Sequence, residues 1–245
     1  MIAKVNRVVT IEEINALIDA GADILSFTVS NKIYEDKRII SLESVVKMMK
    51  AMDAPKTQFC IHFDYDSSFS VSEQLSITKK LGFNYIEFQV DHFMSEIRDN
   101  SLLSEVHYIL YGDGIGYDSP WCHYDSLFKL PFKPAFVTLD TESIVTGNWA
   151  YLRSEHELGI KQEFTSDVLM ETAQEQLKKI DNLVSDSFEI ATLKTDLKNV
   201  NTNGINLSLS SKSNELLKEE VIIGEQSGYN FTLDEVLEFI KIIKK

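Results

Sequence analysis

Short runs of Val, Ile, Leu, Phe and Tyr alternate along this chain with segments whose apolar residues return every three or four positions. Ala3 to Asn6 is followed by the helical pattern Ile11 to Ala20, then by the apolar run Ile24 to Val29. Each strand-plus-helix unit spans roughly 25 to 40 residues, the length of one strand, one helix and two tight loops. Eight strands are predicted on this basis: Ala3 to Asn6, Ile24 to Val29, Thr57 to Phe63, Tyr85 to Val90, Val106 to Tyr111, Ala135 to Thr141, Phe188 to Lys194 and Gly204 to Ser210. Most are near-continuous apolar runs, as strands covered on both faces require.

The predicted helices begin at recognisable caps. Thr10 precedes Ile11 to Ala20 with Glu13 three residues on, Ser41 precedes Leu42 to Met52, Ser70 precedes Val71 to Leu81, and Thr232 precedes Leu233 to Ile243. A side-chain oxygen at such a position accepts a hydrogen bond from the free amides of the first turn. The last helix also has Asp234 and Glu235 at its start and Lys241, Lys244 and Lys245 at its end, matching both poles of the helix dipole. Strands and helices in this alternation predict an α/β chain, a (β/α)8 TIM barrel forming a single domain over 1–245. The competing arrangement, an open wound sheet, calls for a glycine-rich first turn that Asn6-Arg7-Val8-Val9-Thr10 does not supply. In a barrel the chemistry gathers at the C-terminal ends of the strands.

The repeat is interrupted twice. Between Tyr111 and Pro134 the chain is rich in Gly, Pro and aromatics, so helix five is expected to shrink to a turn. Between Asp140 and Phe188 the connection is about twice the usual length. Its first part, 141–166, is an insertion at the catalytic face ahead of a predicted helix from Asp167 to Leu183. Such a loop serves as a lid or as an arm that docks a protein partner, through Trp149, Tyr151 and Leu152 in the second case.

Composition narrows the partners. With 38 acidic against 24 basic residues the formal charge is −14, which repels nucleic acid and anionic lipid at long range. No apolar run approaches the roughly 18 to 20 residues of a membrane helix, and the first nine residues lack a secretory core, so a cytoplasmic location is expected. Cys60 and Cys122 lie among apolar and aromatic neighbours and are expected to be reduced, buried thiols. His62, Asp64 and Asp66 alternate at the end of the third strand, a pattern that suits a metal-ligand set and, more often, a solvated strand end. No second cluster has ligand spacing, and neither metal nor cofactor is expected. Gly112-Asp113-Gly114-Ile115-Gly116 lacks the following helix that a phosphate loop needs and is read as a turn.

Several motifs together resemble one family. Lys4-Val5-Asn6-Arg7 with Ile11-Glu12-Glu13, Gly21-Ala22-Asp23 with Phe27, Lys37-Arg38-Ile39-Ile40-Ser41, Leu81-Gly82-Phe83, and Phe136 to Thr141 are similar to the ordered motifs of phosphoribosylanthranilate isomerase. The resemblance is continuous over about Ile2 to Val90 and rests on isolated motifs beyond. It implies an Amadori rearrangement in tryptophan biosynthesis, with a general acid at Asp140 and a general base at position 6. Arg38 falls where the family holds the anthranilate carboxylate, its alternative being a surface ion pair. The chain departs from that pattern at the base, because position 6 is Asn rather than Cys and an amide has no basic form near neutral pH. Arg7 replaces the family's glycine, and the glycines of the phosphate turns are absent, leaving Lys194, Ser208, Ser210 and Ser211 to hold an anion.

The candidate catalytic residues are therefore Asp140, Asn6 and Glu87. Glu87 is a replacement base if it points into the barrel, its alternative being a structural ion pair with Lys4 or Arg7. Candidate substrate contacts are Arg7, Arg38, His62, Lys194, Asn206, Ser208 and Ser210. Three functions fit: a diverged barrel enzyme doing acid/base chemistry on a small anionic sugar phosphate or aromatic acid, an authentic isomerase of the resembling family, or a non-catalytic relative that binds a ligand or a protein. The first is favoured because the Cys is missing while Asp140 and Arg38 are kept.

Overall fold

The computed structural model describes residues 1–32, 36–52, 56–64, 67–112, 130–140, 183–186, 202–210 and 230–245. The first half of the chain follows the predicted alternation closely. Strand β1 (Ile2–Asn6) leads to α1 (Ile11–Ala20), β2 (Ile24–Val29), a two-residue β3 (Ile39–Ile40), α2 (Leu42–Ala51), β4 (Gln58–Phe63), α3 (Val71–Leu81) and β5 (Tyr85–Gln89). A single turn α4 (Val90–His92) then runs into a π turn at Phe93–Ile97 and a 3-10 turn at Ser101–Glu105. The described remainder comprises β6 (Tyr108–Gly112), β7 (Phe136–Asp140), β8 (Leu183–Asp186), β9 (Gly204–Leu209), β10 (Asn230–Phe231) and helix α5 (Leu233–Ile243).

Every pairing is parallel, in the order β1, β2, β4, β5, β6, β7, β8, β9, and β9 pairs again with β1. The ring of eight strands is closed. Closure depends on a glycine: a Cβ at Gly204 would lie 2.7 Å from the Ile2 carbonyl oxygen and 2.8 Å from the Ile2 Cβ. The short strands β3 and β10 attach at the C-terminal ends of β2 and β9, through Thr28↔Ile39 and Ser208↔Asn230.

One strand falls elsewhere than predicted. The seventh stave of the ring is Leu183–Asp186, pairing Val137↔Leu183 on one side and Val184↔Gly204 on the other. The sequence pattern assigned Leu183 to the end of a helix and the strand to Phe188 to Lys194, a stretch that now lies outside the described residues. A four-residue run abutting an amphipathic pattern carries too little local signal to compete with the longer apolar run beside it; register with β7 and β9 decides it. The insertion 141–166, Cys122, Asp66 and the expected reduction of helix five also lie outside the described residues.

The helix caps form where the sequence places them. Thr10, Ser41, Ser70 and Thr232 each accept from a first-turn amide, and Ser70 with Glu73 and Thr232 with Glu235 complete reciprocal capping boxes. The Gly-Ala-Asp motif has a structural explanation. Gly21 ends α1 in the left-handed region at φ 96°, and Asp23 accepts from the Ala3 amide at 2.7 Å and from Lys244 at 2.6 Å, tying α1, β1 and α5 together. These contacts lie at the N-terminal face, where barrels keep their stabilising residues.

Strand alternation sorts the core into two bodies. Ala3, Val5, Leu25, Phe27, Ile61, Phe88 and Leu207 face outward and pack on Ile14, Leu17, Val45, Phe239 and Ile240 of the helices. Each fully buried side chain of this size contributes about 1.5–3 kcal/mol. A separate cluster of Ile24, Cys60 and Ile109, flanked by Ile2, Tyr85 and Phe136, forms an apolar floor inside the ring. Among the described residues, no helix is long and apolar enough to cross a membrane.

Candidate active site in the barrel lumen

The lumen above the apolar floor is polar. Lys4 on β1 reaches Glu87 on β5 with Nζ–Oε1 2.7 Å, although two strands separate them in the ring, so both side chains cross the interior. Lys4 also donates to Asn6 Oδ1 and to Asn206 Oδ1, the latter at 2.9 Å. Its ammonium has three donors and here three acceptors. The four residues are almost fully buried: Lys4 is 1% exposed, Glu87 2%, Asn6 3% and Asn206 0%. An isolated charge in such a place would cost several kcal/mol; paired and fully hydrogen-bonded, the cluster is neutral overall.

This arrangement settles the direction of Glu87, which points inward and forms the ion pair with Lys4 that the sequence allowed as its alternative role. Its Oε1 is occupied by an ammonium. Asn6 cannot replace a cysteine base either, since its amide oxygen accepts from Lys4.

Toward the C-terminal ends of the strands lies a second set of lumen side chains. Parallel register aligns His62 with Glu87, Tyr111 with Thr138, and Asn6 with Ser208, so these residues share the inward face. His62 on β4 faces Tyr111 on β6 across β5, with ring centroids 5.3 Å apart and Nε2 3.5 Å from the phenol oxygen. Three buried polar atoms here have no hydrogen-bond partner: His62 Nδ1, Thr138 Oγ1 and Ser208 Oγ. Thr138 and Ser208 are each 2% exposed. Burial holds the His62 pKa below its ordinary value of 6.5, outweighing the upward pull of the Glu87 and Asp64 carboxylates. The imidazole is consequently neutral at pH 7.

The rim is organised by arginines. Arg7, directly after β1, adopts φ 66°, a left-handed backbone that costs a residue with a Cβ roughly 1–2 kcal/mol. Its guanidinium pairs with Asp36, and only 10% of its side chain is exposed. Arg38 pairs with Glu13 at 2.7 Å and donates to the backbone oxygens of Ser210 at 2.5 Å and Arg7 at 3.2 Å. These bonds use Nε and Nη1; Nη2 makes none to a described residue. Arg38 thus joins the C-terminal ends of β1 and β9 while being partly buried, not on the open surface.

Asp140 is the last residue of β7, and its Cα partner is Asp186, the last residue of β8. That acidic neighbour was missed because the seventh strand was misplaced. Thr138 and Tyr111 were also missed, although both occupy alternate positions in the C-terminal halves of predicted strands. Lys194 and Ser211 lie outside the described residues. Cys60 is a free thiol in the apolar floor, where burial pushes its pKa up to about 12. Among the described residues no cluster of three His, Cys, Asp or Glu is placed to hold a metal ion. A cleft of about 410 Å³ lined by Leu103, His107, Tyr108, Phe132 and Lys133 opens at the N-terminal end of β6, the pole opposite this chemistry.

No protein-family model matches the chain, and no curated protein does. Solved structures with the same fold do exist. A phosphoribosyl anthranilate isomerase in complex with reduced 1-(o-carboxyphenylamino)-1-deoxyribulose 5-phosphate superposes with a TM-score of 0.62 at 14% identity, over 100% of this chain and 99% of that one. The phosphoribosyl anthranilate isomerase of Thermus thermophilus gives 0.58 at 12% identity, covering 100% and 98%. Tryptophan synthase subunit alpha of Campylobacter jejuni gives 0.56 at 13%, covering 98% and 94%. At these identities the likeness establishes the TIM-barrel fold that these structures share and leaves chemistry to the residues.

Proposed function

We propose that this chain is a diverged barrel enzyme that carries out acid/base chemistry on a small anionic substrate, a sugar phosphate or an aromatic acid, with Asp140 in the acid role. The observation that carries this reading is the set of unpartnered polar atoms on His62, Thr138 and Ser208, buried on the inward face toward the catalytic end of the strands. Each orphaned atom costs about 1–3 kcal/mol, a cost that a lumen packed with apolar side chains would avoid and that a polar ligand removes. Asp140 ends the strand that carries Thr138, at the same pole. For the anionic group, Arg38 is held at the rim with Nη2 unengaged by any described residue. The ligand of the similar isomerase structure unites both proposed substrate classes in one molecule, a carboxyphenylamino group and a deoxyribulose phosphate.

The authentic isomerase reaction is less well supported, because the residue at position 6 is an amide whose oxygen is bound by Lys4. The test is a panel of sugar phosphates and aromatic acids scored by thermal stabilisation, since a ligand at 100 times its Kd adds about 2.7 kcal/mol. Binding is expected in the wild type and is expected to fall in Arg38→Ala, with turnover lost in Asp140→Asn. No stabilisation by any anion would instead favour the non-catalytic, protein-binding reading.

A further inference from the structure

We infer that His62 is the group that takes up the substrate proton, with Tyr111 as the residue that positions its ring. This deepens the acid/base reading above and rests on it. The resembling family places the proton acceptor on the first strand; here it moves across the lumen to β4.

Comparison with Glu87, Asn6 and Cys60, the other candidate groups on the inward face of the strands, leads there. Glu87 shares its carboxylate with the Lys4 ammonium at 2.7 Å, and Asn6 is an amide. Cys60 lies in the apolar floor, where no thiolate forms near neutral pH. His62 has two ring nitrogens, of which Nε2 faces the Tyr111 phenol at 3.5 Å and Nδ1 is buried with no hydrogen-bond partner. Thr138 and Ser208 present further unpartnered oxygens on the same inward face, so the open nitrogen belongs to a set of groups awaiting a ligand.

The tautomer follows from the role. A base needs a lone pair at Nδ1, so Nε2 carries the hydrogen and donates it to the Tyr111 oxygen. In an aldose–ketose isomerisation, the C–H bond beside the substrate carbonyl breaks heterolytically and its proton goes to Nδ1. The electron pair left behind forms the enediol C=C as the carbonyl oxygen accepts a proton from the acid. The imidazolium then returns its proton to the neighbouring carbon while the second hydroxyl yields one to the acid's conjugate base, so both groups end as they began. The charged and titratable groups facing the ring are Glu87 on β5, Lys4 on β1, Tyr111 on β6, and Asp64 and Cys60 on or beside β4; its register neighbour on β2, Thr28, is uncharged.

The test uses the full chain labelled with 15N-histidine, with ribose 5-phosphate and reduced 1-(o-carboxyphenylamino)-1-deoxyribulose 5-phosphate as probes. At pH 7 the His62 signal is expected to be the neutral Nε2–H tautomer, with Nδ1 shifting on addition of either probe. Tyr111→Phe is expected to raise the Nδ1–H fraction and to displace the pH profile, effects that mere loss of packing would not produce. In deuterium oxide, His62→Gln is expected to bind the probes within about 3-fold of wild type while exchange at C2 of ribose 5-phosphate falls by about 100-fold or more. Binding with undiminished exchange in His62→Gln, or an Nδ1–H tautomer indifferent to the probes, overturns the assignment and leaves the acid/base reading standing. Absence of probe binding to the wild type overturns both.

Discussion

Replacing Lys4 by Met gives a quantitative test of the lumen cluster. Lys4 is 1% exposed and donates to Asn6, Glu87 and Asn206. The thioether has similar length and no donor, so Lys4→Met leaves a buried carboxylate without its cation and removes the Lys4 hydrogen bonds to the Asn6 and Asn206 amide oxygens. Breaking a buried ion pair from one side costs about 3–5 kcal/mol, a large share of the 5–15 kcal/mol typical of a folded domain. At a urea slope of roughly 3 kcal/mol/M, the midpoint falls by about 1 M or more. The double variant Lys4→Met with Glu87→Gln removes the stranded charge and is expected to recover about 1–3 kcal/mol relative to Lys4→Met alone. A midpoint within 0.3 M of wild type (roughly 1 kcal/mol at that slope), or a double variant weaker than the single one, would refute the reasoning.

Three further outcomes are expected. Arg7→Ala and Arg7→Gly both lose the pair with Asp36, but only glycine adopts φ 66° freely, so Arg7→Gly should be the more stable of the two by about 1 kcal/mol in denaturant titrations. Gly204→Ala drives a methyl into the Ile2 backbone where β9 closes the ring, and a loss of about 1–3 kcal/mol or more is expected from thermal unfolding. For His62, the folded pKa lies below 6.5, so as pH falls below 6.5 the unfolded chain binds a proton that the folded chain refuses. Wild-type stability therefore declines with falling pH down to the folded pKa, and His62→Gln should show a slope shallower by at most about 1.4 kcal/mol per pH unit over that window.

The local grammar of this chain is legible in its residues alone. Thr10, Ser41, Ser70 and Thr232 start helices because a hydroxyl satisfies amides only a few residues away, and apolar runs such as Ile24–Val29 become strands because both faces will be covered. Those are short-range effects, readable without knowing the partner. Tertiary structure decided everything that depends on what lies across the ring. Leu183–Asp186 is a strand because β7 and β9 supply its hydrogen bonds, and no propensity within four residues says so. Glu87 is an ion-pair partner because Lys4, 83 residues earlier, shares its lumen. Strand alternation restricts a side chain to one of two faces, but which face is the interior, and which distant residue meets it there, is fixed only when the eight strands close.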